Sequence, residues 1–408
     1  MSSRAWFTLF LVLAITALLA TVYLFGPSRV LSWWNIPVME PTFSDLYVVT
    51  SGAETFAHGL DPFFLNPYDS EGRRLNYPRI WQWLGYLGVR TSHTVPLGIT
   101  LVALFVLGLF LAVPLPSHLH ALLLGACLLS PAVLFAVERG NADLFIFFLL
   151  ALAIAAARSW ALACWFVFCA YILKLYPLAA AAIFLRYPKR QAIIASLLFF
   201  LSAAAYLVII SSDLPLISAA TPRGASQSYG IHVFWTQVQN ANASLGAIAK
   251  TCTLAAALLI PFTALTLPVF LPRPSIAESK MLDAFRVGAA VYCTTFLLGN
   301  NWDYRLIFLL FAVPQLGSWL HHPSPPFRLL ARTALATLLL SLWHFLIARL
   351  SRTLPYGVYL SSTLDEAANW LLFASLLSLL TLSSPPWLYA WLPSFQRRPS
   401  SSLPLSTP

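Results

Sequence analysis

The sequence predicts an all-α fold, a polytopic bundle of transmembrane helices. Hydrophobic residues make up 59% of the 408-residue chain and charged residues only 9%, with a mean hydropathy of +0.76. Soluble domains average about 25% charged residues, so a soluble core would not hide this much apolar surface. Apolar runs of roughly 17 to 25 residues recur, and that length lets a helix cross about 30 Å of hydrocarbon. The alternating segments of about 10 residues that a transmembrane barrel needs do not occur.

The N-terminus is predicted to be a retained transmembrane helix. Arg4 precedes the apolar residues 5–25, no small-residue cleavage site follows, and Trp33 and Trp34 suit an interface anchor. The apolar runs together predict about eleven spans, within a range of ten to thirteen. These spans are residues 5–25, 95–114, 119–137, 143–157, 160–185, 191–211, 248–271, 284–299, 304–320, 333–349 and 367–390.

Basic residues predict the orientation of the chain. Arg and Lys gather in alternate short loops, as the positive-inside rule requires if those loops are cytoplasmic. Both termini are then cytoplasmic, and the loops 27–94 and 212–247 lie outside. Residues 1–395 are predicted to form one integral-membrane domain in a bacterial inner membrane. Residues 396–408, rich in Ser and Pro, are predicted to be a disordered cytoplasmic tail.

Residues 143–185 do not fit this alternation. Two spans fit the length of the segment, but an odd number of crossings is needed to reach the next basic loop. Lys174 and Pro177 place a charge and a helix-breaking residue inside an apolar run, which is tolerated where a protein cavity receives them. A broken or re-entrant helix is therefore predicted near 174–177.

Composition also excludes several function classes. The net charge of +10 comes from basic residues scattered over short loops, so no nucleic-acid partner is expected. The five cysteines lie inside apolar runs, which predicts buried packing without a disulfide framework. No zinc-ligand spacing and no phosphate-binding glycine loop are present, so no cofactor and no metal site are expected. Whether a divalent ion assists the reaction is left open.

The first outer loop, residues 27–94, carries six of the fourteen acidic residues. A loop of this length between otherwise tight connections is usually functional. Residues 46–57 are predicted to form a short amphipathic helix on the membrane, with Ser44 and Asp45 at its N-terminal cap. Asp45 is accordingly either a helix cap or a general base at the membrane surface. The six acids are Glu40, Asp45, Glu54, Asp61, Asp69 and Glu71.

A second polar segment, residues 138–143, reads Glu-Arg-Gly-Asn-Ala-Asp. It is either a solvated turn with an internal ion pair or a polar site between two spans. Placing the carboxylates of Glu138 and Asp143 so close to hydrocarbon carries a desolvation cost that an ordinary turn avoids. A polar site between two spans is therefore the better interpretation.

A third polar segment on the same predicted face reads Asn-Asn-Trp-Asp-Tyr-Arg. Arg305 offers a planar fork that suits phosphate oxygens, and Asn300, Asn301 or Asp303 offer hydrogen bonds to a sugar. The alternative is a structural pair of Asp303 with Arg305 or Arg139.

Two weaker features complete the set of candidate residues. Lys174, beside Tyr176, either extends its ammonium group toward water along the helix or contacts a phosphate. His232 and Trp235 in the second outer loop suit a sugar ring, although an interfacial aromatic belt explains Trp235 equally well.

Three segments together resemble a known family. Residues 138–143, residues 174–178 (Lys-Leu-Tyr-Pro-Leu) and residues 299–305 are similar in order and spacing to motifs of glycosyltransferase family 87. This family belongs to the GT-C superfamily and includes polyprenyl-phosphomannose-dependent mannosyltransferases. The resemblance implies a GT-C fold, a polyprenyl-phosphate-linked sugar donor, and an acid in the first outer loop that activates the acceptor hydroxyl. Some relatives read Gly-Gln where this chain has Gly140 and Asn141, so the identities of the sugar and the acceptor do not carry over.

The expected function is inverting transfer of a hexose, of which mannose is one candidate, to a lipid or glycan acceptor at the non-cytoplasmic face. Asp45 is the expected general base. The expected donor-phosphate contacts are Arg139, Lys174, Tyr176 and Arg305, and the expected sugar or acceptor contacts are Glu138, Asn141, Asp143, His232, Asn300, Asn301 and Asp303.

Two rival functions stay open. A transporter or flippase for a lipid-linked glycan or solute would place ionisable groups near the bilayer midplane on facing helices. Most polar clusters here lie at span ends, which favours the enzyme, and Lys174 is the exception. A non-catalytic partner in envelope synthesis is the third possibility.

Overall fold

The computed structural model describes residues 1–270 and 276–389, and 76% of it is helical, which confirms the all-α prediction. The α-helices of this described part are α1 Ser3–Phe25, α2 Pro27–Trp33, α3 Ser44–Ala57, α4 Thr94–Ala112, α5 His118–Leu128, α6 Pro131–Arg139, α7 Asp143–Ala155, α8 Trp160–Leu173, α9 Lys189–Ile209, α10 Leu214–Ala220, α11 Ile231–Ala241, α12 Ala243–Phe270, α13 Lys280–Leu298, α14 Val313–Trp319, α15 Pro325–Ser351 and α16 Gly357–Leu382. The 3₁₀ helices cover Arg79–Leu87, Thr91–His93, Tyr176–Arg186, Asp303–Phe311 and Pro386–Tyr389.

A two-stranded ribbon is the sheet structure of the described residues. β1 (Ser228–Tyr229) pairs antiparallel with β2 (Asn301–Trp302), with Ser228 opposite Trp302. The ribbon therefore joins the second outer loop to the start of the third polar segment.

Six helices in the described ranges are long and apolar enough to cross a membrane, which is compatible with an integral membrane protein. They are α1, α4 with the 3₁₀ turn before it, α9, α12, α13 and α15. The pair α5 and α6 makes a seventh if it counts as one span. The predicted number of eleven is thus not confirmed.

Short and broken helices account for most of the difference in number. α5 and α6 meet at 55° just before Pro131, within the predicted span 119–137. The predicted span 143–157 is α7, whose 13 residues cover only about 20 Å at 1.5 Å per residue. The predicted span 304–320 is a 3₁₀ helix followed by the seven-residue α14. Apolar composition marks buried segments and membrane spans alike.

The interruption predicted near 174–177 is confirmed. α8 ends at Leu173, Lys174 has extended backbone angles (φ −150°, ψ 136°), and the chain resumes at Tyr176 as a 3₁₀ helix with Pro177 in its first turn. Proline lacks an N–H and cannot continue α8. At the break the Lys174 ammonium lies 5.0 Å from the centre of the Tyr77 ring, so the charge reaches the first outer loop.

The first outer loop is itself folded against the bundle. α3 corresponds to the predicted helix 46–57, but most of its residues are buried in the protein, and the 3₁₀ helix Arg79–Leu87 packs along it. It does not lie as an isolated helix on the membrane. Its N-cap is Phe43, at φ 59°, with no side-chain hydrogen bond, so Asp45 is not the cap.

α13 runs through the centre of the bundle. Thirteen of its 19 residues are buried. Near its first turn, Arg286 binds Glu278 (2.6 Å), and Asp283 pairs with Arg186. Its other end, Leu298, reaches the cavity described below. The two ends of one helix therefore carry two separate polar clusters.

Two predictions concern the chain end and the cysteines. The predicted tail 396–408 and the last residue of the predicted span 367–390 lie outside the described residues. All five cysteines are free, and four are buried or partly buried as predicted, but Cys252 is exposed on α12.

Candidate functional site

A cavity of about 820 Å³ lies where α3, α6, the break after α8 and the third polar segment converge. Its wall is completed by residues 217–222, at the end of α10, and by Leu298 at the end of α13. The wall brings together parts of all three segments that carry the family resemblance. Its polar lining residues are Asp45, Arg73, Arg74, Asn76, Tyr77, Arg139, Lys174, Tyr176, Thr221, Asn300, Asn301, Trp302, Tyr304 and Arg305.

The lining of this large cavity is strongly cationic. Five of the described lining residues are Arg or Lys, and the one carboxylate among them belongs to Asp45. The cationic residues are Arg73, Arg74, Arg139, Lys174 and Arg305. Such a wall attracts an anion, and arginine forks suit phosphate or carboxylate oxygens in particular.

Asp143 anchors the cations beneath the cavity. Its side chain is fully buried, and its Oδ1 lies 2.5 Å from the Lys174 Nζ and accepts a hydrogen bond from the Tyr176 hydroxyl at 2.6 Å. The Arg305 Nε lies 3.4 Å from Asp143 Oδ2. One carboxylate thus fixes two cationic side chains that line the cavity.

Asn141 connects these cations to Asp45. Its Nδ2 donates to Asp45 Oδ2 at 2.5 Å, and its Oδ1 accepts from Lys174 Nζ at 2.9 Å. The turn depends on Gly140, which ends α6 at φ 55°, where a Cβ would approach the Phe43 side chain to 2.6 Å. Glycine is the residue that tolerates both this backbone angle and this contact.

Asp45 lies in the first turn of α3, partly exposed to the cavity. Burial raises the pKa of its carboxyl above the ordinary value. The Arg139 guanidinium, the Asn141 hydrogen bond, and the Lys174 and Arg73 charges lower the pKa without cancelling the effect of burial. The arrangement is one carboxylate with a defined donor, facing a cationic cavity.

Arg139 is held by a hydrogen bond to the Pro37 carbonyl at 3.5 Å and by two further contacts. Its Nε lies 3.0 Å from Glu138 Oε2, and its guanidinium lies 4.9 Å from the centre of the Phe135 ring. Glu138 also accepts a hydrogen bond from the Met39 N–H at 2.9 Å. Glu138 therefore positions Arg139 and does not itself line the cavity.

Arg73 and Arg74, which sequence reasoning left out of the site, occupy the wall from the first outer loop. Arg73 pairs with Asp69 at 3.1 Å and donates to the Ser44 hydroxyl at 2.6 Å. Arg74 is exposed and has no hydrogen-bond or ion-pair partner among the described residues. Their position in the loop gave no signal, because only folding of the loop brings them beside Asp45.

The third polar segment closes the opposite wall. Asn301 donates to the Thr295 carbonyl at 2.5 Å and accepts from Arg305. Asn300 donates to the Gly224 carbonyl at 2.5 Å, and the Trp302 indole donates to the Pro222 carbonyl at 3.2 Å. These bonds tie residues 222–224, at the end of the α10 wall segment, to the ribbon.

Five predicted contact residues do not line the cavity: Glu138, Asn141, Asp143, His232 and Asp303. The first three lie just beneath the wall, as described. His232 packs against Trp235, with ring centres 4.5 Å apart and the rings tilted by 40°. Asp303 pairs with neither Arg305 nor Arg139, since its Oδ2 faces His344 at 3.5 Å.

A second, smaller cavity of about 150 Å³ lies on the other side of the ribbon. It is lined by hydroxyl and amide side chains together with His344, Asp365 and Arg352. Asp365 and Glu366, on α16, are both buried. This cluster was not predicted, because residues 350–366 were interpreted as a loop between two spans.

Within the described ranges, no group of three or more His, Cys, Asp or Glu side chains is arranged to hold a metal ion. Comparison with known protein families and with curated proteins finds no match to the chain.

Proposed function

We propose that the protein is a membrane glycosyltransferase. It would transfer a hexose from a polyprenyl-phosphate donor to a lipid or glycan acceptor at the non-cytoplasmic face, with Asp45 as general base. One observation carries the proposal: five cationic side chains and one carboxylate, Asp45, line the large cavity. The resemblance of three segments to glycosyltransferase family 87 points to the same chemistry.

The charge balance of the cavity supports an anionic donor. Lys174 and Arg305 share the single carboxylate of Asp143, which leaves one positive charge of this group uncompensated. Arg74, which has no partner within the described residues, adds a further guanidinium at the wall. A phosphate would compensate these charges, and charge-assisted bonds to its oxygens are about twice as strong as neutral ones.

The same wall has an apolar side. Ile217, Ala219 and Ala220 of α10 and Leu298 of α13 contribute apolar side chains to the lining. An amphiphilic donor, with a phosphate at one end and a prenyl chain at the other, matches both parts of this lining. A water-soluble nucleotide donor would leave the apolar side without a partner.

In the proposed reaction, the acceptor hydroxyl oxygen attacks the anomeric carbon while the bond from this carbon to the phosphate oxygen breaks. The bonding electron pair leaves with the phosphate, and the hydroxyl proton passes to the Asp45 carboxylate, which later releases it to water. Attack from the face opposite the phosphate inverts the anomeric configuration. The cations stabilise the charge that develops on the phosphate, so a second carboxyl acid is not needed.

A transporter or flippase for a lipid-linked glycan or solute is the second candidate. The observation in its favour is the buried cluster of Asp303, His344 and Asp365, of which the last two lie on long helices. Ionisable groups inside membrane helices often mark transport pathways. The large cavity favours the enzyme, because its charged groups lie at helix ends.

The deciding experiment measures sugar transfer from polyprenyl-phosphate donors by the purified protein in nanodiscs, with wild type and Asp45→Asn compared. Asn keeps the size of Asp but cannot accept the proton, so turnover should fall by about 10² to 10⁴-fold. Donor binding and thermal stability should persist.

Glu40→Gln is the matched control, since Glu40 is an exposed acid of the same loop that does not line the cavity. It should retain full transfer. Near-normal transfer by a stable Asp45→Asn protein would remove Asp45 from the mechanism. A wild type that transfers no sugar from any donor, yet moves a lipid-linked glycan across vesicles, would establish the transporter instead.

A further inference from the structure

Three buried acidic side chains lie close to one another near the ribbon, and two of them face a single imidazole. Asp303, Asp365 and Glu366 are 1%, 8% and 6% exposed. The His344 Nδ1 lies between two of them, 3.5 Å from Asp303 Oδ2 and 3.6 Å from Asp365 Oδ1. We call these four residues the acidic cluster.

The acidic cluster lacks positive charge. His344 contributes at most one, against three carboxylates. Arg305, two residues after Asp303, is committed to Asp143 and Asn301. Arg352 lines the small cavity, but its side chain is exposed and forms no ion pair in the described part of the chain. A buried carboxylate without a partner is costly, and such groups usually become neutral instead.

Two atoms of the acidic cluster also lack hydrogen-bond partners. Asp303 Oδ2 and His344 Nδ1 are both buried, and neither makes a hydrogen bond to a described group. The nearby cavity reaches His344 and Asp365 and has room for about five waters at roughly 30 Å³ each. Water can therefore bring a proton to these groups.

We propose that the acidic cluster is a proton-binding site, which holds at least one proton at neutral pH in the folded protein. The proton is taken from water in the small cavity and is shared among Asp303, His344 and Asp365. A metal ion is the less suitable ligand, because the described carboxylates are not arranged to enclose one.

The site is linked to the wall of the large cavity. The Asp303 N–H donates to the Gln227 carbonyl at 3.0 Å, next to β1, and Asp303 directly follows β2. Loss of the proton would add repulsion among carboxylates at the base of the ribbon. The proton would thus hold the ribbon in place. This inference does not depend on the proposed sugar transfer.

Infrared spectroscopy of the full-length protein in nanodiscs tests the protonation directly. A protonated carboxyl group gives a carbonyl stretch distinct from that of a carboxylate. Wild type should show this band at neutral pH, and Asp303→Asn or Asp365→Asn should reduce its intensity. Asp45→Asn should not change the contribution of the acidic cluster to the band. A wild type without the band, or a band unchanged in both cluster variants, would overturn the proposal.

Thermal unfolding against pH gives a second, independent readout. If the folded state holds a proton that the unfolded chain releases, stability falls as pH rises. Asp365→Asn removes one uncompensated charge, so its melting temperature at high pH should equal or exceed that of wild type. Asp283→Asn is the matched control: Asp283 is a buried acid paired with Arg186, so its loss should lower the melting temperature at neutral and high pH, where the pair is charged.

The thermal unfolding experiment is repeated at constant pH with potassium salt in place of sodium salt. An equal melting temperature in both salts supports the proton as ligand. A marked rise with one cation alone would assign the site to a metal ion and refute the proposal. A large loss of stability in Asp365→Asn at high pH would show that Asp365 is a structural ion-pair partner and would refute the proposal.

Discussion

Asn141 shows how the site depends on a residue that no substrate need touch. Its amide donates to Asp45 and accepts from Lys174, so it fixes the distance between the proposed base and the Lys174 ammonium. A carboxylate and an ammonium at this spacing would otherwise pair directly and neutralise each other. The amide keeps both groups available to a ligand.

The pH dependence of transfer follows from Asp45. Burial raises the pKa of its carboxyl, and the general base must be ionised to accept a proton. We therefore expect kcat/KM to fall as pH decreases through this raised pKa, so that the loss begins at a higher pH than an ordinary aspartate would give. The measurement is kcat/KM against pH in nanodiscs, with unfolding followed over the same range. A flat acid limb in a stable protein would contradict the assignment.

For Asp143 we expect a loss of stability, because the role of this carboxylate is to bind cations. Asp143→Asn would leave Lys174 and Arg305 buried without a counter-ion, and breaking a buried pair in this way costs about 3 to 5 kcal/mol. We expect unfolding in detergent to occur at a clearly lower temperature than for wild type or Asp45→Asn. Added pyrophosphate should restore part of the loss by supplying an anion. Equal stability of the two variants would contradict the anchoring role.

At the residue scale, the sequence predicted which residues gather near the site, but not the role of each one. Glu138, Asn141 and Asp143 were expected to contact the sugar or the acceptor, but they lie beneath the wall and position Arg139, Lys174 and Arg305. Spacing along the chain brings such residues to one place but does not tell which side chain faces the cavity. Whether any residue binds a sugar stays a prediction.

The secondary-structure elements of the site were also only partly predictable from the sequence. The break at Lys174 and Pro177 was predictable, because a charge and a proline in an apolar run have a definite physical cost. The ribbon was not, because strands of two residues have no periodicity to detect. α10 was also missed, since a seven-residue helix inside an outer loop resembles a loop in composition.

The segment that follows α9 closes one wall of the cavity and is fixed at both ends. Arg79 Nε lies 2.8 Å from Asp213 Oδ1, just before α10, and Arg79 also binds Asp61 at 3.0 Å. Asn300 holds the other end at Gly224. An element tied mainly by a partly exposed ion pair is a candidate for local opening.

We expect Arg79→Gln to loosen α10 without unfolding the protein. Partly exposed ion pairs contribute at most about 1 kcal/mol, so global stability should change little. Backbone amides of Leu214–Ala220 should exchange hydrogen faster than in wild type. Arg158→Gln is the control, since Arg158 is exposed and distant in sequence from this segment. Unchanged exchange in α10 would show that Asn300 and the ribbon suffice to hold it.

At the scale of the whole molecule, α13 relates the cavity to the membrane. It has 19 residues, which span about 28 Å at 1.5 Å per residue, close to the 30 Å of a bilayer core. Its C-terminal end lines the large cavity, and its N-terminal end carries the ion pairs of Asp283 and Arg286. In a membrane that α13 crosses, the cavity and this ion-pair cluster would lie near opposite faces.

The basic loops then indicate which face is which. Arg186, Lys189, Arg190 and Lys280 gather near the ion-pair end of α13, and positive charge favours the cytoplasmic side. The large cavity would thus open away from the cytoplasm, where a polyprenyl-linked donor is expected. A cavity on the cytoplasmic face would remove the main reason for proposing a lipid-linked donor.

Cysteine labelling in intact cells tests this orientation. In a chain with its five native cysteines replaced, single cysteines are placed at Ser70 and Ser226, on the cavity side, and at Ala277, near the ion-pair end; all three positions are exposed. A membrane-impermeant maleimide should label Ser70→Cys and Ser226→Cys directly, and Ala277→Cys only after permeabilisation. The cysteine-free chain is the control for background. Labelling of Ala277→Cys alone in intact cells would invert the topology, and the site would then face the cytoplasm.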